Sequence, residues 1–237
     1  MGARPKTTDV TVQAADAALE GTLVLPEPGA GIVVFAHGSG SSRFSPRNRY
    51  VADVLHRGGL GTLLFDLLTA REHAIDELTR ELRFDIDLLT LRLTGAVDWL
   101  ASSTDTARMP IGLFGASTGA AAALRTAAAR AERVAAVVSR GGRPDLALDI
   151  LSQVRAPTLL VVGGLDGVVI GMNRTAADRL KVQHELKIVE GATHLFEEPG
   201  KLEEVARLAR DWFQQHLTAV NRESQVVNRN LAADKRR

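Results

Sequence analysis

Between Ile32 and about Leu217 the chain alternates two kinds of segment, and this alternation limits the architectures open to it. One kind is short, compact and mainly apolar, at residues 32–35, 62–65, 111–114, 134–138, 158–162 and 186–189. A strand with one wet face alternates apolar and polar residues, whereas an unbroken apolar run suits a strand covered on both faces. The other kind is helical. Leu82, Ile86, Leu89, Leu93, Val97 and Leu100 recur at steps of three and four, as one face of a helix does. Ser45 and Pro46 read as the cap and first residue of a helix reaching about Arg57, where Gly58 and Gly59 end it. An Ala-rich helix is predicted from Thr118 to about Arg130, and Asn173 is placed to cap a helix reaching Lys181. Leu202, Val205, Leu208, Ala209 and Trp212 stripe a closing helix. The order implies an α/β fold with a doubly wound, mainly parallel sheet. Ahead of it, residues 10–13 and 19–25 read as strands around a turn at Ala15 and Asp16, adding an antiparallel hairpin to the sheet edge.

Composition removes several functions. With 45% hydrophobic and 24% charged residues among 237, the chain can bury a sizeable core. Lys and Arg total 29 against 28 Asp and Glu, so the basic excess of a duplex-binding protein is missing. There is no cysteine, which excludes disulfides, thiolate metal sites and a cysteine nucleophile. No apolar run approaches the ~20 residues of a membrane span. A cytoplasmic location is expected. A single domain is expected over residues 1–217. Residues 218–237 carry Arg222, Arg229, Lys235, Arg236 and Arg237 against Glu223 and Asp234, and read as a polar, basic, frayed or partly helical tail.

The strongest chemical signal is Gly115-Ala116-Ser117-Thr118-Gly119. This G-x-S-x-G follows an apolar strand and opens an Ala-rich helix, the setting that a sharp turn carrying an exposed nucleophile requires. Small neighbours permit the turn, and Ser117 then projects at the carboxyl edge of the sheet over a helix N-terminus. A serine hydroxyl needs a base. His194 lies in a small-residue loop after the last strand, whereas His56, His73, His184 and His216 sit in helical or charged segments. The imidazole needs a carboxylate to orient it. Asp166, after the strand ending Val161-Val162-Gly163, is the leading candidate, and Asp145 is the fallback. The order Ser, Asp, His is the one that accompanies such an elbow. Oxyanion donors are expected from the backbone of Thr118 and of the loop His37-Gly38-Ser39-Gly40, with Ser39 first and Gly40 next. His37 reads as a brace for that loop.

Together these segments resemble the α/β-hydrolase superfamily, specifically the serine hydrolases related to dienelactone hydrolase. The resemblance spans about residues 20–217. It rests on Val33-Val34-Phe35-Ala36-His37-Gly38-Ser39-Gly40, on the Ser117 motif, on Gly163-Gly164-Leu165-Asp166 and on Gly191-Ala192-Thr193-His194. It implies an ester or lactone hydrolase without metal or organic cofactor. Ser117, Asp166 and His194 would form the triad, and Ser39 and Thr118 would donate to the oxyanion. Dienelactone hydrolase itself uses cysteine where this chain has serine, so dienelactone is not implied as the substrate.

Residues 139–157 leave room for one short helix, so any cap is minimal, and residues 67–82 form the other candidate wall of the cleft. Arg140 and Arg143 follow a strand at the same sheet edge and could pair with a substrate carboxylate or phosphate. The expected partner is a small ester or lactone, with neither nucleic acid nor membrane, and homo-oligomerisation is left open. Two alternatives share the same residues: a perhydrolase or acyltransferase in which another nucleophile replaces water, and a ligand-binding module without turnover. No G-x-x-x-x-G-K-[ST] or G-x-G-x-x-G occurs to bind a nucleotide.

Overall fold

The apolar runs become the centre of an eight-stranded sheet in the computed structural model, which describes residues 5–26 and 29–234 and side chains as far as Leu217. The hairpin comes first. β1 (Lys6–Ala14) pairs antiparallel with β2 (Ala17–Leu25), and β2 pairs antiparallel with β4 (Gly61–Phe65). Parallel pairing then links β4 to β3 (Ile32–Ala36), β5 (Ile111–Ala116), β6 (Val134–Arg140), β7 (Thr158–Gly163) and β8 (His184–Val189). The spatial order is β1-β2-β4-β3-β5-β6-β7-β8. Every residue of β3, β4, β5 and β7 is buried, which is why these strands carry no polar alternation.

Helices cover both faces. α3 (Ile86–Ser102), α4 (Thr118–Ala129) and α5 (Gly167–Ala177) pack on one face through Leu93, Val97, Ala121 and Ala176. α1 (Pro46–Arg57) and α6 (Lys201–Asp234) pack on the other through Val51, Leu55, Val205 and Phe213. Each fully buried Leu or Phe of these clusters contributes about 1.5–3 kcal/mol. Ser45 caps α1, its hydroxyl accepting from the Asn48 N–H at 3.3 Å, with Pro46 at the first helical position.

Three local expectations change. The apolar face from Leu82 is split: residues 82–84 form a 3₁₀ turn, and Asp85 starts α3 by accepting from the Leu88 N–H at 2.9 Å. Leu82 still packs against the core. Asn173 is not a cap but a buried residue inside α5, which begins at Gly167 and ends at Ala177, short of Lys181. The segment expected only as a wall contains a further helix, α2 (Ala70–Thr79). Thr69 and Glu72 cap it reciprocally, a T-x-x-E pattern visible in the sequence.

The backbone of α6 continues beyond Leu217 to Asp234, so residues assigned to the tail are helical that far. Lys235, Arg236 and Arg237 lie outside the described residues. Among the described residues no helix is long and apolar enough to cross a membrane.

Candidate active site

Ser117 joins β5 to α4 at φ 51° and ψ −120°, a conformation that L-residues avoid and that costs on the order of 1–3 kcal/mol. The surroundings hold it there. Its N–H donates to the Arg140 carbonyl at 3.2 Å, and its carbonyl accepts from the N–H of Arg143 at 3.0 Å and of Ala120 at 3.1 Å. Tight packing demands glycine beside it. A Cβ at Gly119 would lie 2.2 Å from the Ala36 carbonyl oxygen, and one at Gly115 would lie 2.4 Å from the Ala120 Cα. Ser117 stands at the cap position of α4 without capping it, and among the described residues its hydroxyl has no hydrogen-bond partner.

His194 and Asp166 come together across two loops. Nδ1 of His194 lies 2.6 Å from Oδ2 of Asp166, with the imidazole 39% and the carboxylate 17% exposed. Asp166 precedes α5 but makes no cap bond. The loops are tied by Leu165 N–H donating to Ala192 O at 2.9 Å and Gly164 N–H donating to Val189 O at 2.8 Å. Asp145 is engaged elsewhere: Arg143 holds it through two bonds, of 2.9 and 2.8 Å.

Arg140 and Gly141 lie between the serine and the histidine. Arg140 bonds the Ser117 N–H, and a Cβ on the next residue, Gly141, would lie 3.5 Å from both Cε1 and Nδ1 of His194. Gly141 has φ 51°, which turns the chain beneath the imidazole. Nε2 of His194 has no hydrogen-bond partner among the described residues, so the hydroxyl and imidazole are not bonded to each other here. Such contacts commonly tighten only when substrate binds.

Thr118 follows Ser117 in the chain, and the loop of Ser39 approaches it from the end of β3. A Cβ on Gly38 would lie 3.2 Å from the Ser117 Cβ, so the loop carrying Ser39 packs directly against the elbow. Thr118 opens α4, where the first backbone N–H groups have no partner within the helix. The loop is braced by His37, which is 8% exposed. The Leu67 N–H donates to its Nε2 at 3.1 Å, so Nδ1 carries the proton toward the Gly38 carbonyl at 3.1 Å. Gly40, the second-choice donor, lies beneath Arg83, which Asp76 holds at 2.6 Å. A cleft of about 380 Å³ opens beside the loop, lined by Ser41, Ser42, Arg43, Asp66, Leu68 and His73.

Burial lowers the pKa of His37 below its ordinary value. The unfolded chain then takes up a proton below about pH 6.5 that the folded state refuses, and stability falls as pH falls. His56 and His216, also lowered by burial, add to the slope. Denaturant titrations between pH 6.5 and 5 are expected to show His37→Gln with a shallower slope than wild type, by up to ~1.4 kcal/mol per pH unit. Equal slopes would mean that His37 is charged in the fold.

Arg143 is occupied by Asp145, whereas Arg140 is 8% exposed with its guanidinium carbon 5.8 Å from the Phe114 ring centre. The part played by Asn173 and the position of Arg47 escaped the sequence reading. Asn173 donates to the Gly142 carbonyl at 3.0 Å, fixing the loop after β6, and Arg47 comes from the first turn of α1. Neither had a local signal beyond a polar residue in a helical pattern. Residues 139–157 form two 3₁₀ turns, Pro144–Ala147 and Leu151–Gln153, instead of one short helix. Among the described residues no cluster of three or more His, Asp or Glu could hold a metal.

A model of the Dienelactone hydrolase family matches residues 21–224. A Mycobacterium tuberculosis protein provisionally named a phosphoribosyl transferase is 57% identical over 209 residues. That alignment covers 88% of this chain and 46% of the relative, so the chain spans under half the length of the curated relative it matches. The solved dienelactone hydrolase from Anabaena variabilis superposes with TM-score 0.89 at 56% identity, covering 90% of this chain and 99% of that one. Est1E from Butyrivibrio proteoclasticus shares the fold, with TM-score 0.73 at 14% identity over 87% of this chain and 98% of that one.

Proposed function

The chain belongs to the dienelactone hydrolase family, a family of hydrolases, and from that premise we propose that it is a serine hydrolase cleaving carboxylic esters or lactones of small acyl substrates. The observation that carries this reading is the strained Ser117 pinned to Arg140, with the His194–Asp166 pair resting on the adjoining Gly141. In this reading Ser117 Oγ attacks the carbonyl carbon while Nε2 of His194 takes its proton. Asp166 accepts the Nδ1–H, keeps Nε2 free to act as a base, and stabilises the imidazolium. The N–H groups of Thr118 and Ser39 receive the oxyanion. The C–O bond to the leaving alcohol breaks as His194 protonates it, leaving an acyl-serine. Water, deprotonated by His194, releases the acid and restores the hydroxyl. No metal or organic cofactor enters these steps. The phosphoribosyl transferase name belongs to a longer relative and suggests no role for this serine.

Labelling by a fluorophosphonate, together with turnover of a panel of p-nitrophenyl esters and lactones, tests the proposal. A chain that binds ligand but neither labels nor turns over is a non-catalytic module. Products formed preferentially with peroxide or alcohol in place of water assign a perhydrolase or acyltransferase. Asp166→Asn is a sharper probe. The carboxamide would donate to Nδ1 and force the proton onto Nε2, removing the base while keeping the shape. A loss in kcat/KM of about 10³–10⁴-fold on p-nitrophenyl acetate is expected, with little change in melting temperature. Retention of activity would show that another carboxylate serves His194.

A further inference from the structure

Of the two buried arginines among the described residues, one is met by carboxylates and one is not. Arg92, 2% exposed, is held by Asp16 at 2.9 Å and Glu72 at 2.7 Å. The partly buried Arg83 is likewise held by Asp76. Arg140, 8% exposed, has no side-chain hydrogen bond or ion pair among the described residues, and its Nη1 is fully enclosed. The side chains identified around it offer no negative charge. One is the Phe114 ring face at 5.8 Å. The other is Arg47, close enough to repel it, whose own Nε is buried without a partner. Glu197 reaches only the outer Nη1 of Arg47, at 2.8 Å, and is itself 62% exposed. Arg140 is thus a buried guanidinium with no anion on it, an arrangement that is costly unless something negative completes it.

The location gives the arrangement meaning. Arg140 ends β6, and its carbonyl anchors Ser117. Two residues before it, Val138 packs on the α1 and α6 face, and strand alternation directs Arg140 to that face too. The first turn of α1 carries Arg47 there, and Glu197 follows His194 by three residues. We infer that Arg140, assisted by Arg47, forms an oxyanion-binding subsite beside Ser117 that takes a carboxylate or phosphate group. A planar guanidinium suits either, through paired N–H donors. Burial, then repulsion by Arg47, lowers the Arg140 pKa to about 10, which still leaves it charged at neutral pH. The group belongs to the substrate if the proposed function holds, and only that attribution rests on the proposed function.

The test has a binding arm and a kinetic arm. Calorimetric titration of the whole chain with inorganic phosphate, and separately with acetate, is expected to give a saturable heat that Arg140→Met abolishes. Should that variant fail to fold, Arg47→Gln, at a position nearer solvent, is expected to weaken the heat several-fold. In the kinetic arm, the ratio of kcat/KM for monomethyl adipate to that for methyl hexanoate is expected to fall by about 10–100-fold in Arg140→Met. A fallen ratio assigns the anion to the substrate. Saturable heat with an unchanged ratio assigns it to a free oxyanion. No heat and an unchanged ratio overturn the inference. If wild type hydrolyses neither ester, the hydrolase reading fails, while the calorimetry still decides the subsite.

Discussion

Replacing Ser117 with alanine is expected to reduce ester turnover by on the order of 10⁴–10⁶-fold and to abolish fluorophosphonate labelling, because the nucleophile and its proton relay act as a unit. The fold is expected to survive, since the hydroxyl has no hydrogen-bond partner among the described residues. A glycine at the same position gives a second, opposite readout. Glycine adopts φ 51° without the Cβ penalty, so Ser117→Gly is expected to be inactive yet about 1–2 kcal/mol more stable than wild type. Denaturant titration of the two variants beside wild type checks this. A stabilised, inactive glycine variant means that the strain is held for the chemistry. Undiminished turnover in Ser117→Ala would transfer the nucleophile to another residue and end the proposed mechanism.

Gly119→Ala is expected to be strongly damaging. The new Cβ would sit 2.2 Å from the Ala36 oxygen and 2.6 Å from the His37 oxygen, both backbone atoms at the end of β3. No side-chain rotation relieves such a contact, so α4 and β3 must separate. The expected loss is at least ~4 kcal/mol, or a fall of roughly 10 °C in Tm for a domain of this size. Any protein that still folds should lose activity as well, since the displaced segments carry Ser117 and the loop of Ser39. Gly171→Ala is the contrast. Nothing lies within 4 Å of its Cβ inside α5, and a gain of about 0.5–1 kcal/mol is expected from helix propensity. Equal melting temperatures for Gly119→Ala and wild type would mean that the elbow is looser than its geometry implies.

Most of the architecture was readable from local pattern. The apolar runs became β3 to β8, although β8, at the sheet edge, is largely exposed where burial on both faces was expected; Ser45 and Pro46 opened α1, and the Ala-rich stretch after the G-x-S-x-G became α4. In each case the determining contacts lie within a few residues, or concern only whether a residue is covered. The errors were also local, but competitive. Asp85 took the Leu88 N–H and interrupted an otherwise continuous apolar face. Asn173, polar enough to suggest a cap, found buried carbonyls at Val169 and Gly142 instead.

The elbow and the order of Ser117, Asp166 and His194 were available from the chain alone, because a sharp strand-to-helix turn leaves a mark on adjacent residue sizes. The pairing of His194 with Asp166 was expected as well, and Arg143 meets a carboxylate only two residues away; the isolation of Arg140 was not. That Arg140 is enclosed with no carboxylate on it depends on how the end of β6 packs against the elements that cover it. Coulombic partners are chosen by position in space, and residues far apart in sequence carry no local trace of which of them will meet.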